Sequence, residues 1–241
     1  MSILEWIYGS GIDLGQYRIS TMELIGVLFG LASAVGGMLR RVWAWPIGIV
    51  GNVILFFVYI WATIQFDDRA PLFGQSGRQV FFIATSLYGW WRWQQVRSTR
   101  GVQDEHAITP RWASWRERVL LIAGWLAAVV VVQAIFRRLG AGWPAPDWYF
   151  WCDAWIFVGS FIATFAMARG LNEFWLAWIA VDIVGVPLLL HSNYVPTAVM
   201  YAFYAAFVIY GFVVWMRATR AERPDLEPAT GRGGSATTLT P

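Results

Sequence analysis

The chain has 241 residues, of which 58% are hydrophobic and 14% charged, with 17 tryptophans and a formal net charge of +3. This composition excludes an ordinary soluble domain and indicates a polytopic membrane protein. The single cysteine, Cys152, excludes an intrachain disulfide and a cysteine-based metal cluster, and we expect no metal site.

Seven stretches with few or no charges predict seven transmembrane helices, since roughly 17–25 residues are needed to cross a bilayer. These stretches are 21–39, 42–66, 79–96, 119–136, 148–168, 174–190 and 194–216. The first twenty residues have scattered charges and no single apolar core, so they predict a short interfacial segment and not a signal peptide.

The stretches group into two three-helix units with a linker helix between them. The predicted segments are the interfacial segment 1–20, the first unit 21–97, a polar loop 98–118, the linker helix with its connector 119–147, the second unit 148–216 and a disordered tail 217–241. Ser114 and Glu117 fit a capping box at the start of the linker helix. Loop residues are also predicted after the second helix, from Asp67 through Gly77.

The two units repeat one sequence pattern. Three pairs of positions are 130 residues apart: Glu23 with Asp153, Trp45 with Trp175, and Asn52 with Asp182. In the third helices, residues 88–93 match 210–215 with an offset of 122. Two joined three-helix units would have opposite orientations, and the linker helix lets both run the same way. The sequence therefore predicts an all-α membrane protein built from two parallel three-helix repeats.

The arginines are divided unevenly between the two sides that this topology defines. Thirteen of the 18 lie on the side opposite the amino terminus, and the other five are Arg18, Arg69, Arg78, Arg137 and Arg138. By the positive-inside rule the richer side is cytoplasmic. We predict a multi-pass plasma-membrane protein with its amino terminus outside and its carboxyl terminus in the cytoplasm. The arginines border apolar spans and form no continuous basic face, so no nucleic-acid partner is expected.

Asp182 lies near the middle of a predicted membrane helix, where insertion scales put the cost of an acid at about 2.5–3.5 kcal/mol. We therefore expect it to face protein, water or ligand, with Asn52 at the equivalent depth in the first repeat. Trp175 and Trp178 share its helical stripe and offer flat faces for a planar heterocycle. The alternatives are an interhelical hydrogen bond for the two polar residues and an interfacial aromatic belt for the tryptophans.

The third helix of each repeat adds further candidates. Gln79, Phe82 and Ser86 share one helix face, and Tyr201, Tyr204 and Val208 share the equivalent one, whereas Tyr88 and Tyr210 point away and are predicted packing contacts. Glu23 and Asp153, near helix starts, are interpreted as caps in preference to substrate-entry residues. The substrate-binding candidates are Trp45, Asn52, Gln79, Ser86, Trp175, Trp178, Asp182, Tyr201 and Tyr204.

Several of these motifs resemble the PnuC family of vitamin transporters over about residues 21–216. They are Trp45-Pro46-Ile47-Gly48, the segment 79–93 with Ser86-Leu87-Tyr88-Gly89-Trp90, and the pair Trp175 and Trp178 before a polar residue. Segments 115–118, 153–159, 168–171 and 173–187 are more similar to the riboflavin-transporting branch, called PnuX or RibM. Members that carry nicotinamide riboside usually have asparagine where this chain has Asp182.

The resemblance implies the 3+1+3 helix arrangement shared by SWEET and PnuC proteins. It also implies riboflavin uptake by facilitated diffusion, with trapping by cytoplasmic phosphorylation. The isoalloxazine ring would stack among Trp175, Trp178 and tyrosines, and Asp182, Asn52 and Gln79 would hydrogen-bond the ring edge or the ribityl hydroxyls. Nicotinamide riboside and thiamine are alternative substrates.

Two further classes of function are alternatives to transport. An intramembrane enzyme would use Asp182 with Asp153, and a seven-helix receptor or scaffold would need no paired polar groups. The sequence contains no phosphate-binding loop, nucleophile elbow, HExxH or CxxC motif, so we expect neither catalysis nor a cofactor. The expected partners are a small-molecule vitamin and the lipid bilayer, and the sequence leaves a homo-oligomer open.

Overall fold

The computed structural model describes residues 10–14, 17–65, 73–100, 106–139, 147–191 and 195–221. Within these ranges the chain forms a short β-hairpin followed by seven α-helices. The hairpin pairs β1 (Gly11–Leu14) antiparallel with β2 (Tyr17–Ser20). The helices are α1 (Thr21–Met38), α2 (Ala44–Gln65), α3 (Phe73–Arg100), α4 (Trp115–Leu139), α5 (Trp148–Ala168), α6 (Glu173–His191) and α7 (Val195–Ala221).

The prediction of seven helices is confirmed, but several boundaries differ. Helix α3 begins at Phe73, so residues 73–77 are helical and the predicted loop is shorter. Helix α7 continues to Ala221, five residues into the predicted tail. The hairpin occupies half of the predicted interfacial segment. Residues 1–9, the connector at 140–146 and the tail from 222 lie outside the described residues.

Helix α4 begins four residues before its predicted start because the capping box forms. The backbone N–H of Glu117 donates to Ser114 Oγ at 3.3 Å, and the backbone N–H of Ser114 donates to Glu117 Oε2 at 2.9 Å. Two backbone donors that lack helical partners are thereby satisfied.

Three of the described helices are long and apolar enough to cross a membrane: Thr21–Met38, Trp115–Arg138 and Trp148–Ala168. The segment Ala44–Ile60 is a shorter apolar helix. Helix α4 exposes much of its apolar surface, with Leu120 at 72% and Ile122 at 59%. Lipid tails can cover such a surface and water cannot do so favourably, which indicates a membrane protein.

Helix contacts divide the bundle in the way the repeats predict. Helix α2 packs against α1 and α3, and α6 packs against α5 and α7. Helix α4 packs against α5, and α3 packs against α5 across the boundary between the repeats. These contacts agree with two three-helix units and a linker helix, while their parallel orientation stays a prediction.

The turn from α1 to α2 and the turn from α5 to α6 have the same backbone conformation. Arg40 has φ of 58° and Gly170, 130 residues later, has φ of 69°. A side chain in this left-handed region costs about 1–2 kcal/mol, which glycine avoids. Arg40 is held there by contacts: its carbonyl accepts from Ala107 N at 2.9 Å, and its guanidinium donates to Ile108 O at 3.5 Å.

The segment 106–114, before α4, connects these two turns. Besides the bond to Arg40, the N–H of Arg111 donates to Gly170 O at 3.0 Å, and Arg111 O accepts from Asn172 N at 2.8 Å. Ala107, Ile108 and Ala113 are buried in the main apolar core. We call the end of the bundle formed by the two turns and this segment the arginine-rich end.

Ion pairs hold the same segment and α4 to the second repeat. Glu117 accepts two hydrogen bonds from Arg111, at 2.8 and 2.7 Å, and lies 3.5 Å from Arg169. Glu173, at the start of α6, accepts from Arg118 Nε at 2.8 Å and from the N–H of Ala113. The hydrogen bond to Glu117 raises the pKa of the Arg111 guanidinium above its usual value.

Candidate functional site

Asp182 lies on the inward stripe of α6, as predicted. Its exposed fraction is 6% and that of Trp175 is 2%, whereas Leu176 and Ile183 on the other face are 42% and 67% exposed. The helical spacing of seven residues places the acid and Trp175 on one face. The prediction that this acid faces away from lipid is confirmed.

Three buried side-chain oxygens in the described structure have no hydrogen-bond partner: Oδ2 of Asp182, Oε1 of Gln79 and, on the linker helix α4, Oε1 of Gln133. Gln79 is 3% exposed. An unsatisfied polar group in a bilayer costs several kcal/mol, so buried polar atoms are almost always paired. Of the three, the oxygens of Asp182 and Gln79 belong to predicted site residues, and both are available to accept hydrogen bonds from a polar ligand.

The face of α3 that carries Gln79 points inward. Ser86, two turns later, is 6% exposed, and its neighbour Leu87 on the outer face is 49% exposed. Phe82, between the two polar residues, makes an edge contact with Phe161 of α5, with ring centroids 5.6 Å apart. The predicted common face of Gln79, Phe82 and Ser86 is thus present.

Trp45 and Trp175 occupy equivalent, fully packed positions. The ring of Trp45 lies against Gly89, and the ring of Trp175 lies against Gly211. Their exposed fractions are 3% and 2%, so protein covers the ring faces in this conformation. Neither indole nitrogen has a hydrogen-bond partner. A ligand could accept from these N–H groups, but stacking on the rings would require them to be uncovered.

The remaining candidates lie on the second and third helices of the repeats. Asn52 on α2, Trp178 on α6 and Tyr204 on α7 are half-buried. Tyr201 lies on α7, and its side chain is outside the described structure. Among the described side chains no hydrogen bond joins Asp182 Oδ2 to a candidate of the first repeat.

The acids near the helix starts have different environments. Glu23 caps α1, because its carboxylate accepts from the backbone N–H of Ser20, while Ser20 Oγ accepts from Met22 N at 3.2 Å. Asp153 lies in the second turn of α5 and interacts electrostatically with Arg78 of α3. The capping interpretation holds for Glu23 and does not describe Asp153.

The two tyrosines predicted as packing contacts also differ. Tyr88 stacks on Phe165 with centroids 5.8 Å apart and planes at 13°, which confirms the prediction. Tyr210 is 61% exposed, so the prediction is wrong there. Among the described residues, Tyr210 lacks an aromatic partner because the position in the first repeat that is equivalent to Phe165 is Val35, which has no ring.

Sequence reasoning missed the roles of Trp93 and Trp215. Both are fully buried and cross between the repeats: Trp93 Nε1 donates to Ala168 O at 3.2 Å, and Trp215 Nε1 donates to Met38 O at 3.0 Å. The tryptophans are related by the offset of 122 and the two acceptors by the offset of 130. Those offsets were the available signal, but spacing alone does not identify a hydrogen-bond partner.

Comparison with known proteins finds relatives among vitamin transporters. The family model described as "Nicotinamide mononucleotide transporter" matches residues 20–217. The riboflavin/roseoflavin transporter RibM of Streptomyces davaonensis is 34% identical over 94% of this chain and 99% of its own length. The nicotinamide riboside transporter PnuC of Escherichia coli is 25% identical over 87% of this chain and 90% of its own.

A solved structure, the crystal structure of the vitamin B3 transporter PnuC, has the same fold. It aligns with a TM-score of 0.61 and 18% sequence identity over 83% of this chain and 82% of the other. The predicted family resemblance is thereby confirmed. The chain belongs to the nicotinamide mononucleotide transporter family, the family of the PnuC vitamin transporters.

Proposed function

We propose that this protein takes up riboflavin across the plasma membrane by facilitated diffusion. The observation that carries the choice of vitamin is the 34% identity with the riboflavin/roseoflavin transporter RibM, which spans 99% of that protein. The sequence contains no phosphate-binding loop, which favours movement down a gradient over ATP-driven transport. Phosphorylation of the vitamin in the cytoplasm would keep the gradient inward.

The proposed site lies between the repeats and uses the unpartnered oxygens. Asp182 Oδ2 and Gln79 Oε1 are acceptors, and riboflavin offers matching donors in its ring N–H and its ribityl hydroxyls. Asn52, which lies in the first repeat with Gln79, can both donate and accept hydrogen bonds. Trp178 is half-buried and keeps part of its ring available for stacking. Ser86, Tyr201 and Tyr204 complete the proposed lining.

In the proposed orientation, the arginine-rich end faces the cytoplasm. The segment 106–114 and the two turns at this end carry Arg40, Arg41, Arg111 and Arg169. Arginines close to the ends of membrane spans are retained on the cytoplasmic side. The amino terminus would then be outside and the carboxyl terminus inside.

Nicotinamide riboside is the second candidate substrate. The E. coli nicotinamide riboside transporter PnuC shares 25% identity over 90% of its length. The cationic pyridinium of nicotinamide riboside would be attracted by an ionised Asp182, and the thiazolium of thiamine would be attracted in the same way. Riboflavin is preferred because the more similar of the two relatives is a riboflavin transporter.

Isothermal titration calorimetry on the purified protein distinguishes the candidates. Riboflavin, nicotinamide riboside and thiamine are titrated separately, since calorimetry is unaffected by flavin absorbance. Riboflavin should bind at least tenfold more tightly than the other two, which corresponds to about 1.4 kcal/mol. Tighter binding of nicotinamide riboside or thiamine would overturn the choice of riboflavin.

A further inference from the structure

The last turns of α1 and α5 meet at the arginine-rich end. Met167 lies so close to Gly37 that a Cβ on the glycine would overlap the methionine side chain. The two positions are 130 residues apart, so each is the repeat equivalent of the other. Equivalent positions in two copies can touch only near the axis that relates the copies. The contact therefore marks the pseudo-twofold axis.

Two hydrogen bonds flank this contact, and both cross from one repeat to the other. Trp93 of α3 donates to Ala168 O, next to Met167, and Trp215 of α7 donates to Met38 O, next to Gly37. Both indoles are fully buried. The same hydrogen bond thus occurs once on each side of the axis.

Transporters built from parallel repeats carry their substrates between the two halves. A contact on the axis blocks that path. We propose that Gly37 and Met167, with the hydrogen bonds of Trp93 and Trp215, form a gate that closes the arginine-rich end in this structure. Substrate leaves at that end when both indole hydrogen bonds break. This inference rests on the proposed transport function and goes beyond the identity of the vitamin.

The gate is in contact with the candidate site. The ring of Trp175 makes an edge contact with Trp215, with centroids 6.1 Å apart, and Trp45 makes the equivalent contact with Trp93 at 5.3 Å. Trp175 lies on the same stripe as Asp182. A ligand that displaces Trp175 therefore moves the neighbour of a gate tryptophan, which gives substrate binding a direct route to the gate.

Spin-label distance measurements test the gate on the full-length protein. Labels are placed on cysteines at Ser98 and Arg220, exposed and repeat-equivalent positions near the ends of α3 and α7, in a Cys152→Ser background. Trp93→Phe and Trp215→Phe keep a ring and remove the N–H. An open gate should give a longer distance between the labels than a closed gate. Each variant should raise the population at the longer distance, relative to that at the shorter one, roughly two- to tenfold, and the double variant should raise it further. Trp91→Phe, at a position 55% exposed, is the matched control and should change nothing.

Distance distributions of Trp93→Phe and Trp215→Phe that superimpose on the parent would overturn the gate. A second experiment keeps the tryptophans and covers the case in which these variants do not fold. Cysteines at Gly37 and Met167 are joined by a short bifunctional thiol reagent, and riboflavin uptake into liposomes is measured. Uptake should fall to background in the cross-linked protein and remain in the uncross-linked one.

Uptake by the cross-linked protein at the uncross-linked rate would also overturn the proposal. The calorimetric titration separates this failure from failure of the proposed function. Changed distances without riboflavin binding would leave the gate in place and reject the vitamin. Riboflavin binding with unchanged distances would reject the gate alone.

Discussion

The ring of Trp175 lies against the backbone of Gly211, where any side chain would overlap it. Trp45 and Gly89 make the same contact in the first repeat. In each repeat the pair sets how closely the second helix approaches the third. These two helices carry the candidate site residues, so the contacts determine the spacing of the site.

Gly211→Ala and Gly89→Ala should each lower the thermal unfolding temperature in detergent. The added methyl group overpacks a filled position, which typically costs about 1–3 kcal/mol. Gly124→Ala is the matched control, because nothing lies within 4 Å of a Cβ there. Alanine is about 1 kcal/mol better than glycine in a helix, so the control should be neutral or stabilising. Equal unfolding temperatures for Gly211→Ala and Gly124→Ala would contradict the packing described.

Asp182→Ala should weaken riboflavin binding far more than Asp153→Ala. Loss of a hydrogen bond to a charged group is worth about 1.5–3 kcal/mol, or roughly ten- to a hundredfold in affinity. Asp182→Asn keeps the shape and replaces one acceptor by a donor, so it should lose riboflavin affinity and gain some for nicotinamide riboside. Calorimetry on the folded variants measures both. If Asp182 only bridges helices, its variants will unfold at lower temperature and bind with unchanged affinity.

Glu173→Gln should destabilise the protein more than Asp147→Asn does. Glu173 accepts from Arg118 and from the Ala113 N–H, with 15% of its side chain exposed. Asp147 pairs with Arg137 at 3.6 Å, and the two side chains are 79% and 47% exposed. Exposed ion pairs contribute about 0–1 kcal/mol, whereas hydrogen bonds to charged groups contribute about 1.5–3 kcal/mol. The unfolding temperatures of the two variants are measured side by side. A larger fall in unfolding temperature for Asp147→Asn than for Glu173→Gln would contradict the prediction.

Single cysteines at Glu5 and at Thr230 should report opposite sides of the membrane. In intact cells, with Cys152 replaced by serine, a membrane-impermeant thiol reagent should label the first and not the second. The arginine distribution is the physical reason. Permeabilised cells are the control for the reactivity of both positions. Labelling of Thr230→Cys alone in intact cells would reverse the proposed orientation.

Purified protein in liposomes should equilibrate riboflavin down its gradient without ATP. Facilitated diffusion needs only the gradient of the vitamin. Uptake of labelled riboflavin is followed with and without an imposed proton or sodium gradient, and empty liposomes give the background. A requirement for an ion gradient while the riboflavin gradient is already inward would reject facilitated diffusion.

Local patterns in the sequence predicted most of the helices. The apolar run of α6 and its inward stripe of Trp175, Trp178 and Asp182 follow from helical periodicity alone. The start of α3 did not, because Gly74, Ser76 and Gly77 have low helix propensity, yet Ser76 is 3% exposed and packed in the folded chain. Tertiary packing overrides propensity there.

The sequence predicted which residues belong to the candidate site, but it did not predict the distances between them. Helical periodicity assigns each residue to a face, whereas the distance between the repeats depends on how α3 packs against α5. The segment 106–114 shows the same difficulty, since its backbone partners, Arg40 and Gly170, are far away in sequence. No local pattern encodes such pairings.

The reciprocal bonds of Trp93 and Trp215 make each repeat self-complementary. Every three-helix unit carries one donor, an indole on its third helix, and one acceptor, a carbonyl at the end of its first helix. Such an isologous surface is what a symmetric homodimer requires. Two separate chains of about half this length could therefore close the same contacts. If the repeats are parallel, as predicted, joining them into one chain requires an added crossing such as α4. Joining them also lets the two copies differ, as they do at Asn52 and Asp182.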